Sequence, residues 1–140
     1  MVNIWLSSDL HLDHANIIRY GKRPFDDVAQ MNEALITYHN ALVKPEDHWY
    51  NLGDVTMGRG TSGGTRLRTL MSRFNGHKRL IMGNHDHCTP QAYLAAGFEK
   101  IYATWRGLPA GHFIMSHIPL HPGSLGSAHA NVHGHIHQNP

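Results

Sequence analysis

Short apolar runs alternate with amphipathic stretches along this chain of 140 residues. Runs that end in glycine or polar residues predict buried strands, and they occur at 2–8, 48–52, 78–82 and 130–132. The longer stretch 26–43 places apolar side chains three or four positions apart, which predicts an amphipathic helix. Because strands and helices alternate, the pattern indicates an α/β fold, with a single domain over residues 1–140.

The other predicted elements follow from the same periods. The helix at 26–43 is predicted to bury Val28, Met31, Leu35, Tyr38 and Leu42. A glycine-rich stretch at 58–64 predicts a flexible rim loop, followed by a helix at 65–74. Thr89 and Pro90 start a third helix that stops near Gly97 and buries Tyr93 and Leu94. Runs at 98–105 and 112–115 predict a hairpin.

The histidine content is the unusual feature of the composition. Fourteen residues are histidine, whereas the hydrophobic fraction of 41% and the charged fraction of 16% are ordinary for a folded domain. A net charge of +2 does not indicate a nucleic-acid binder. Cys88 is the sole cysteine, so no internal disulfide is possible and a cytoplasmic location is expected. No signal peptide or membrane span is predicted.

Five short islands of metal-ligand residue types stand in order along the chain, each just after a predicted strand. Because ligands at the carboxyl ends of neighbouring strands gather at one edge of a sheet, oxygen and imidazole donors placed there suit two divalent cations. Each residue alone also fits a turn or a helix cap. The islands are Asp9-Leu10-His11, Gly53-Asp54, Gly83-Asn84-His85-Asp86, Ser116-His117 and Gly134-His135-Ile136-His137.

Spacing within the islands adds detail. Asp9 and His11 lie two apart at a strand end, where period-two geometry points both side chains the same way, and His135 and His137 repeat that spacing. Gly134 permits close backbone approach. Asp54 has two carboxylate oxygens and is therefore suited to bridge two cations.

The islands resemble the pattern of the calcineurin-like metallophosphoesterases: D-x-H, G-D, G-N-H-[DE], H and G-H-x-H. All five motifs occur in order over residues 9–137. The stretch 8–20, with Arg23-Pro24-Phe25 beyond it, is similar to a compact phage and bacterial branch of that family. The resemblance implies a two-sheet β-sandwich flanked by helices, an αββα arrangement.

The resemblance also implies roles for individual residues. One metal ion would be held by Asp9, His11, Asp54 and His137, and the other by Asp54, Asn84, His117 and His135. His85 would be the general acid at the leaving group, with Asp86 as the carboxylate that orients it. Substrate contacts are expected from Asn84, His14, Asn16 and Arg19, although solvated surface charge is the commoner case for Arg19 and its neighbours Lys22 and Arg23.

Two departures from the family pattern leave questions open. Leu12-Asp13 stands where the compact branch often has Phe-Gly, so Asp13 either alters substrate preference or faces solvent. The chain ends three residues after His137, whereas the family usually adds further strands, so we expect the second sheet to lack its last strands.

The function expected from this ligand set is hydrolysis of phosphodiesters or small phosphomonoesters by a metal-bridging hydroxide. The mixed nitrogen and oxygen ligands suit Mn, Fe, Co, Ni or Zn. A nuclease and a metal-binding scaffold without turnover are the alternatives. Arginines and lysines in 66–79 do not share one face, so the pattern indicates no nucleic-acid groove. The natural substrate and the oligomeric state stay open.

Overall fold

The computed structural model describes residues 1–108 and 111–138, and only the backbone at 60–62. In this part of the chain the strands form two sheets, one of four strands in the order β1-β2-β3-β4 and one of three in the order β5-β6-β7. The first sheet is parallel throughout; in the second, β5 and β6 are antiparallel and β6 and β7 parallel. The strands are β1 (Ile4–Ser7), β2 (His48–Asn51), β3 (His77–Ile81), β4 (Phe98–Tyr102), β5 (Trp105–Leu108), β6 (Phe113–Ser116) and β7 (Ala130–His133).

In the described residues four α-helices lie between these strands, α1 (Ala15–Tyr20), α2 (Val28–Leu42), α3 (Gly60–Met71) and α4 (Pro90–Ala95), with a short 3-10 helix at Pro122–Ser124. Side-chain caps fix two of their starts, because Asp27 accepts a hydrogen bond from the Gln30 amide and Thr89 accepts one from the Ala92 amide. The predicted fold class is confirmed: the chain is an α/β protein with two sheets and flanking helices.

The four-stranded sheet is buried on both faces. Trp49 of β2 packs with Leu67, Leu80 and Phe98 in the core that the helices cover. Its neighbour Tyr50 points to the other face, where it packs with residues of both sheets in a second apolar cluster. Since both faces are filled, the open positions of this sheet are the loops at the ends of its strands.

The predicted burial of two helices was wrong in part. Tyr38 and Leu42 are 63% and 61% exposed, and α2 instead buries Met31, Asn32 and Ile36. The helix is rotated toward the loop after β1, where Asn32 has a polar partner. In α4, Tyr93 is buried as predicted, but Leu94 is 49% exposed.

The glycine-rich stretch predicted as a rim loop is helical from Gly60, so α3 begins five residues earlier than predicted. Glycine has a low helix propensity, and close packing against Gly58 explains why one stands at position 63 of this helix. A side chain at Gly63 would place its Cβ 2.6 Å from the carbonyl carbon of Gly58, so this turn requires glycine.

The predicted hairpin was also partly wrong. The run 98–105 divides into β4, which completes the first sheet, and β5, which pairs with β6 in the second. An uninterrupted apolar run does not show at which residue the chain leaves one sheet for the other. The short helix α1 was not predicted at all.

Candidate metal centre

Loops that follow β1, β2, β3, β6 and β7 bring the predicted ligands together. Five of these residues have left-handed backbones rather than the strand geometry that the sequence suggested, because β1 ends at Ser7 and β7 ends at His133. Asp9 and His11 thereby point into the same ligand group, whereas His135 and His137 point into two neighbouring groups. Asp and His tolerate this conformation better than most residues. The φ angles are 54° at Asp9, 51° at His11, 57° at Asp54, 69° at His135 and 51° at His137.

The first group of ligand types is Asp9, His11 and His137. His11 Nε2 lies 3.3 Å from His137 Nε2 and 3.8 Å from Asp9 Oδ1, and His137 Nε2 lies 3.6 Å from the same oxygen. Ligand atoms about 2.0–2.2 Å from a common ion lie roughly 3–3.6 Å from one another. The spacing therefore fits donors around a single ion.

The second group is Asp54, His117 and His135. His117 Nε2 lies 3.4 Å from Asp54 Oδ2 and 3.2 Å from His135 Nδ1. Asn84 joins this group, with its Oδ1 2.9 Å from the same nitrogen. All seven predicted metal ligands thus stand in one place, and each group can bind a metal ion.

Asp54 lies between the two groups and is 2% exposed. Its Oδ2 is 3.6 Å from His11 Nε2 on one side and 3.4 Å from His117 Nε2 on the other. Its Oδ1 accepts a hydrogen bond of 2.8 Å from the His85 amide. One oxygen is therefore fixed by the protein, and the other faces both groups.

The metal-ligand atoms around His117 Nε2 are hydrogen-bond acceptors, so this part of the site requires a positive charge. His117 Nδ1 is 2.8 Å from the Leu52 carbonyl oxygen and must donate to it, so neutral His117 keeps its lone pair on Nε2. That lone pair faces the acceptors of Asp54 and Asn84. Burial lowers the pKa of His117, but hydrogen bonds with Asp54 and the Leu52 carbonyl and the charges of Asp54 and Asp9 together outweigh it, so the pKa is raised. A proton or a metal cation relieves this crowding of acceptors, so the residues fit a metal.

His11 is held in the neutral form that metal ligation requires. Burial lowers its pKa to about 4, although the carboxylates of Asp54 and Asp9 oppose the shift. Its Nδ1 is buried with no hydrogen-bond partner in the described part of the chain. Nε2, which faces both carboxylates, is the nitrogen available to a cation.

The His85 ring stands beside the first group rather than within it. It packs edge-on against His11, with ring centroids 5.4 Å apart, and lies 6.3 Å from the ring of His14. His14 Nδ1 is buried with no partner among the described residues. His14 is thus part of the site, whereas Asn16 and Arg19 are exposed on α1 and contact neither group in the described structure.

Asp86 occupies a different place from the predicted one. Its carboxylate accepts hydrogen bonds from the amides of Asp54, Val55 and Gly83 at 2.8–2.9 Å, and from the Tyr93 hydroxyl at 3.0 Å. These four donors occupy both oxygens, so the contact expected with the His85 ring is not seen. Asp86 instead anchors the backbone that carries the Asp54 carboxylate.

Arg23 supports the loop on the other side, and sequence reasoning missed this. The half-buried guanidinium donates from Nη2 to the Asp9 carbonyl at 2.6 Å and from Nη1 to the Leu10 carbonyl at 2.8 Å. Solvated surface charge, the commoner case, is therefore wrong for Arg23. Neither contact has a sequence signal, because a backbone carbonyl belongs to every residue.

Asp13 neither faces solvent nor points at the ligands. It accepts hydrogen bonds from Arg66 of α3 at 2.8 and 3.1 Å and from Asn32 of α2 at 2.7 Å. Partial burial opposes its ionisation, but these bonds outweigh that effect and lower the pKa of Asp13. The carboxylate ties the loop after β1 to two helices.

Glycines make the close approach of these loops possible. A Cβ at Gly134 would collide with the side chains of Ser8 and Asp9, as the sequence predicted. A Cβ at Gly53 would lie 2.5 Å from His117 Nδ1, and φ there is 99°. Any larger residue at these positions would displace a ligand.

Comparison with known proteins places the chain among relatives. It is 34% identical over 139 residues to the uncharacterized protein MJ1445 of Methanocaldococcus jannaschii, which covers 99% of this chain and 72% of the archaeal protein. The chain belongs to the family of that protein. Gene 66 protein of Mycobacterium phage L5 is 35% identical over 86 residues, 61% of this chain and 41% of the phage protein. No model of a described protein family matches the chain.

Two solved structures share the fold. The protein of unknown function AQ665 from Aquifex aeolicus superposes with a TM-score of 0.66 and 27% identity, over 85% of this chain and 62% of that one. Pseudomonas putida nuclease MPE superposes with a TM-score of 0.61 and 23% identity, over 94% of this chain and 60% of the nuclease chain. The chain thus spans about three fifths of either structure. In the described residues no helix has the length and apolarity needed to cross a membrane.

Proposed function

We propose that this chain is a metal-dependent phosphoesterase of the calcineurin-like type. It would hold two divalent ions and hydrolyse phosphodiesters or small phosphomonoesters. The observation that carries the proposal is the position of Asp54 Oδ2, which lies 3.6 Å from a histidine nitrogen of one ligand group and 3.4 Å from one of the other. A single oxygen between two ligand groups is the arrangement that a dinuclear centre uses.

The chain's own residues divide the remaining work. Bound divalent cations would lower the pKa of water and neutralise phosphoryl oxygens. Asp9 and Asp54 supply negative charge that holds them, and the imidazoles supply neutral donors. His85 lies next to the first group through its ring and is tied to Asp54 through its amide. From this place it donates a proton to the departing ester oxygen, an effect worth roughly 10²- to 10⁴-fold.

A nuclease is the second candidate, and two observations favour it. The fold is shared with nuclease MPE, although that likeness alone establishes no activity. On this chain, His87 and Arg59 extend a line of basic groups from His85 away from the ligands, with 3.3 Å between Arg59 Nη2 and His87 Nε2. A nucleic acid has phosphates on both sides of the bond that is cut.

The test is hydrolysis of bis(p-nitrophenyl) phosphate and p-nitrophenyl phosphate by metal-reconstituted protein. We expect turnover that chelation abolishes. His85→Ala should retain its metal and lose most rate on esters with poor leaving groups, because a stable leaving anion needs little protonation. His129→Ala is the matched control, since His129 stacks on His112 outside both ligand groups. Metal-loaded protein that hydrolyses neither ester would contradict the proposed phosphoesterase.

A further inference from the structure

A cavity of about 390 Å³ lies between α3 and α4, beside the metal centre but outside it. Its lining includes the small residues Gly64, Ala92 and Ala95, and the exposed side chains of Arg68 and His87 form its rim. Asp and Glu are absent from its described lining. A lining of small residues with a basic rim suits a ring-shaped group that carries a negative charge.

The cavity is joined to the ligands by a row of imidazole rings. His87, on its rim, contacts His85 edge-on with 6.1 Å between ring centroids, and His85 contacts His11 at 5.4 Å. His87 and His85 belong to one turn, closed by a 3.0 Å hydrogen bond from the His87 amide to the His85 carbonyl. The row of rings therefore connects the first ligand group with the rim of this cavity.

The charged groups at the rim are available to a ligand. Arg68 is exposed, and its side chain has no partner in the described part of the chain. Arg59 does not line the cavity, but it is exposed and its Nη2 lies 3.3 Å from His87 Nε2. Cys88 also lines the cavity, but its thiol is not reactive, because burial raises its pKa.

We propose that this cavity binds the leaving group of the substrate and that its rim is built for one further phosphate, as the next nucleotide of a nucleic-acid strand provides. The inference rests on the proposed function, because it takes the direction of departure from His85. Arg68 and His87 would hold the added phosphate by charge-assisted hydrogen bonds. The bonds broken and formed remain those of phosphodiester hydrolysis.

The kinetic test follows cleavage of the single phosphodiester bond in ApA and in its 5′- and 3′-phosphorylated forms. One of the two added phosphates lies on the leaving group, whichever ester oxygen departs. We expect only that form to be hydrolysed with a kcat/KM roughly tenfold above that of ApA. Arg68→Ala, and Ala95→Phe, which fills the cavity, should each remove the gain. Arg106→Ala on β5 is the matched control and should retain it.

A binding test makes the outcome independent of turnover. Calorimetry of the metal-loaded protein should show that Arg68→Ala weakens adenosine monophosphate roughly tenfold and leaves inorganic phosphate unchanged. Equal affinities in wild type and Arg68→Ala, or a kinetic gain that survives Ala95→Phe, would overturn the proposal. Hydrolysis of bis(p-nitrophenyl) phosphate by the same preparations reports the proposed function separately, since that diester has no second phosphate.

Discussion

Two buried aspartates stand at opposite ends of β2, and the protein treats them differently. Asp47 precedes the strand, is fully buried, and accepts hydrogen bonds from the Asn3 amide at 2.8 Å, Trp5 Nε1 at 2.9 Å and the Lys44 amide at 3.1 Å. Asp54 follows the strand and has one oxygen bonded to the His85 amide. Its other oxygen faces imidazole nitrogens of both ligand groups.

The difference lies in the partners rather than in the residue. Backbone amides lower the pKa of Asp47 to about 2, so this carboxylate stabilises the fold. Burial opposes the ionisation of Asp54, but hydrogen bonds donated by protonated His117 and by the His85 amide lower its pKa below the ordinary value. A carboxylate that is ionised, buried and incompletely paired by donors is suited to a cation. The carboxylate before the strand is thus fully hydrogen-bonded, whereas the one after it keeps an oxygen that can face a cation.

The strongest test of this contrast is Asp54→Asn. The amide keeps an oxygen for the His85 N–H and places an NH₂ group opposite His11 and His117, whose lone pairs accept from it. We expect metal affinity and turnover to fall at least roughly 100-fold, while the metal-free protein stays as stable as wild type. Elemental analysis and thermal melts measure both. Full metal content in Asp54→Asn would contradict the contrast.

Asp86→Asn should cost stability as well as activity. In wild type the carboxylate accepts from backbone N–H groups, and in the variant an NH₂ group faces some of these donors. Each donor left without an acceptor should lower the free energy of unfolding by roughly 1–3 kcal/mol. Tyr93→Phe removes a single one of the four bonds and should cost only about 1 kcal/mol. Urea denaturation compares the two variants. Equal losses would show that Asp86 does not anchor the Asp54 backbone.

Asp47→Asn should act on stability alone. Because the pKa of Asp47 is lower in the folded state, at about 2, than its ordinary 3.8, its contribution is full above the ordinary value and is lost as the pH falls toward 2. The variant should melt several degrees below wild type at neutral pH. That gap should narrow between pH 4 and 2, and the metal content of the variant at neutral pH should equal that of wild type. A gap that does not depend on pH would refute the assignment.

Arg66→Ala should have the smallest effect. Its partner Asp13 lies in the loop after β1, but Arg66 is 53% exposed, and an exposed ion pair contributes less than about 1 kcal/mol. Asn32→Ala should destabilise more, because Asn32 is buried and bonds to both the side chain and the amide of Asp13. A large loss of metal affinity in Arg66→Ala would instead make this pair part of the site.

The ligands could be predicted from the sequence because each has a side chain of the right chemistry next to a strand end. Asp9, His11 and Asp54 illustrate this, although their left-handed backbones could not be foreseen from strand periodicity. The supporting contacts could not be predicted. Arg23 and Asp86 bind backbone atoms far away in sequence, and such partners leave no pattern. The face of α2 was mispredicted because Asn32, a polar residue, is buried against Asp13.

The central claim is that Asp54 would hold two cations, one toward each ligand group. Titration of metal-free protein with Mn²⁺, followed by elemental analysis and electron paramagnetic resonance, tests this most directly. We predict two ions per chain whose spectra show exchange coupling through the shared carboxylate, with both lost in Asp54→Asn. A single bound ion, or two ions without coupling, would contradict the account.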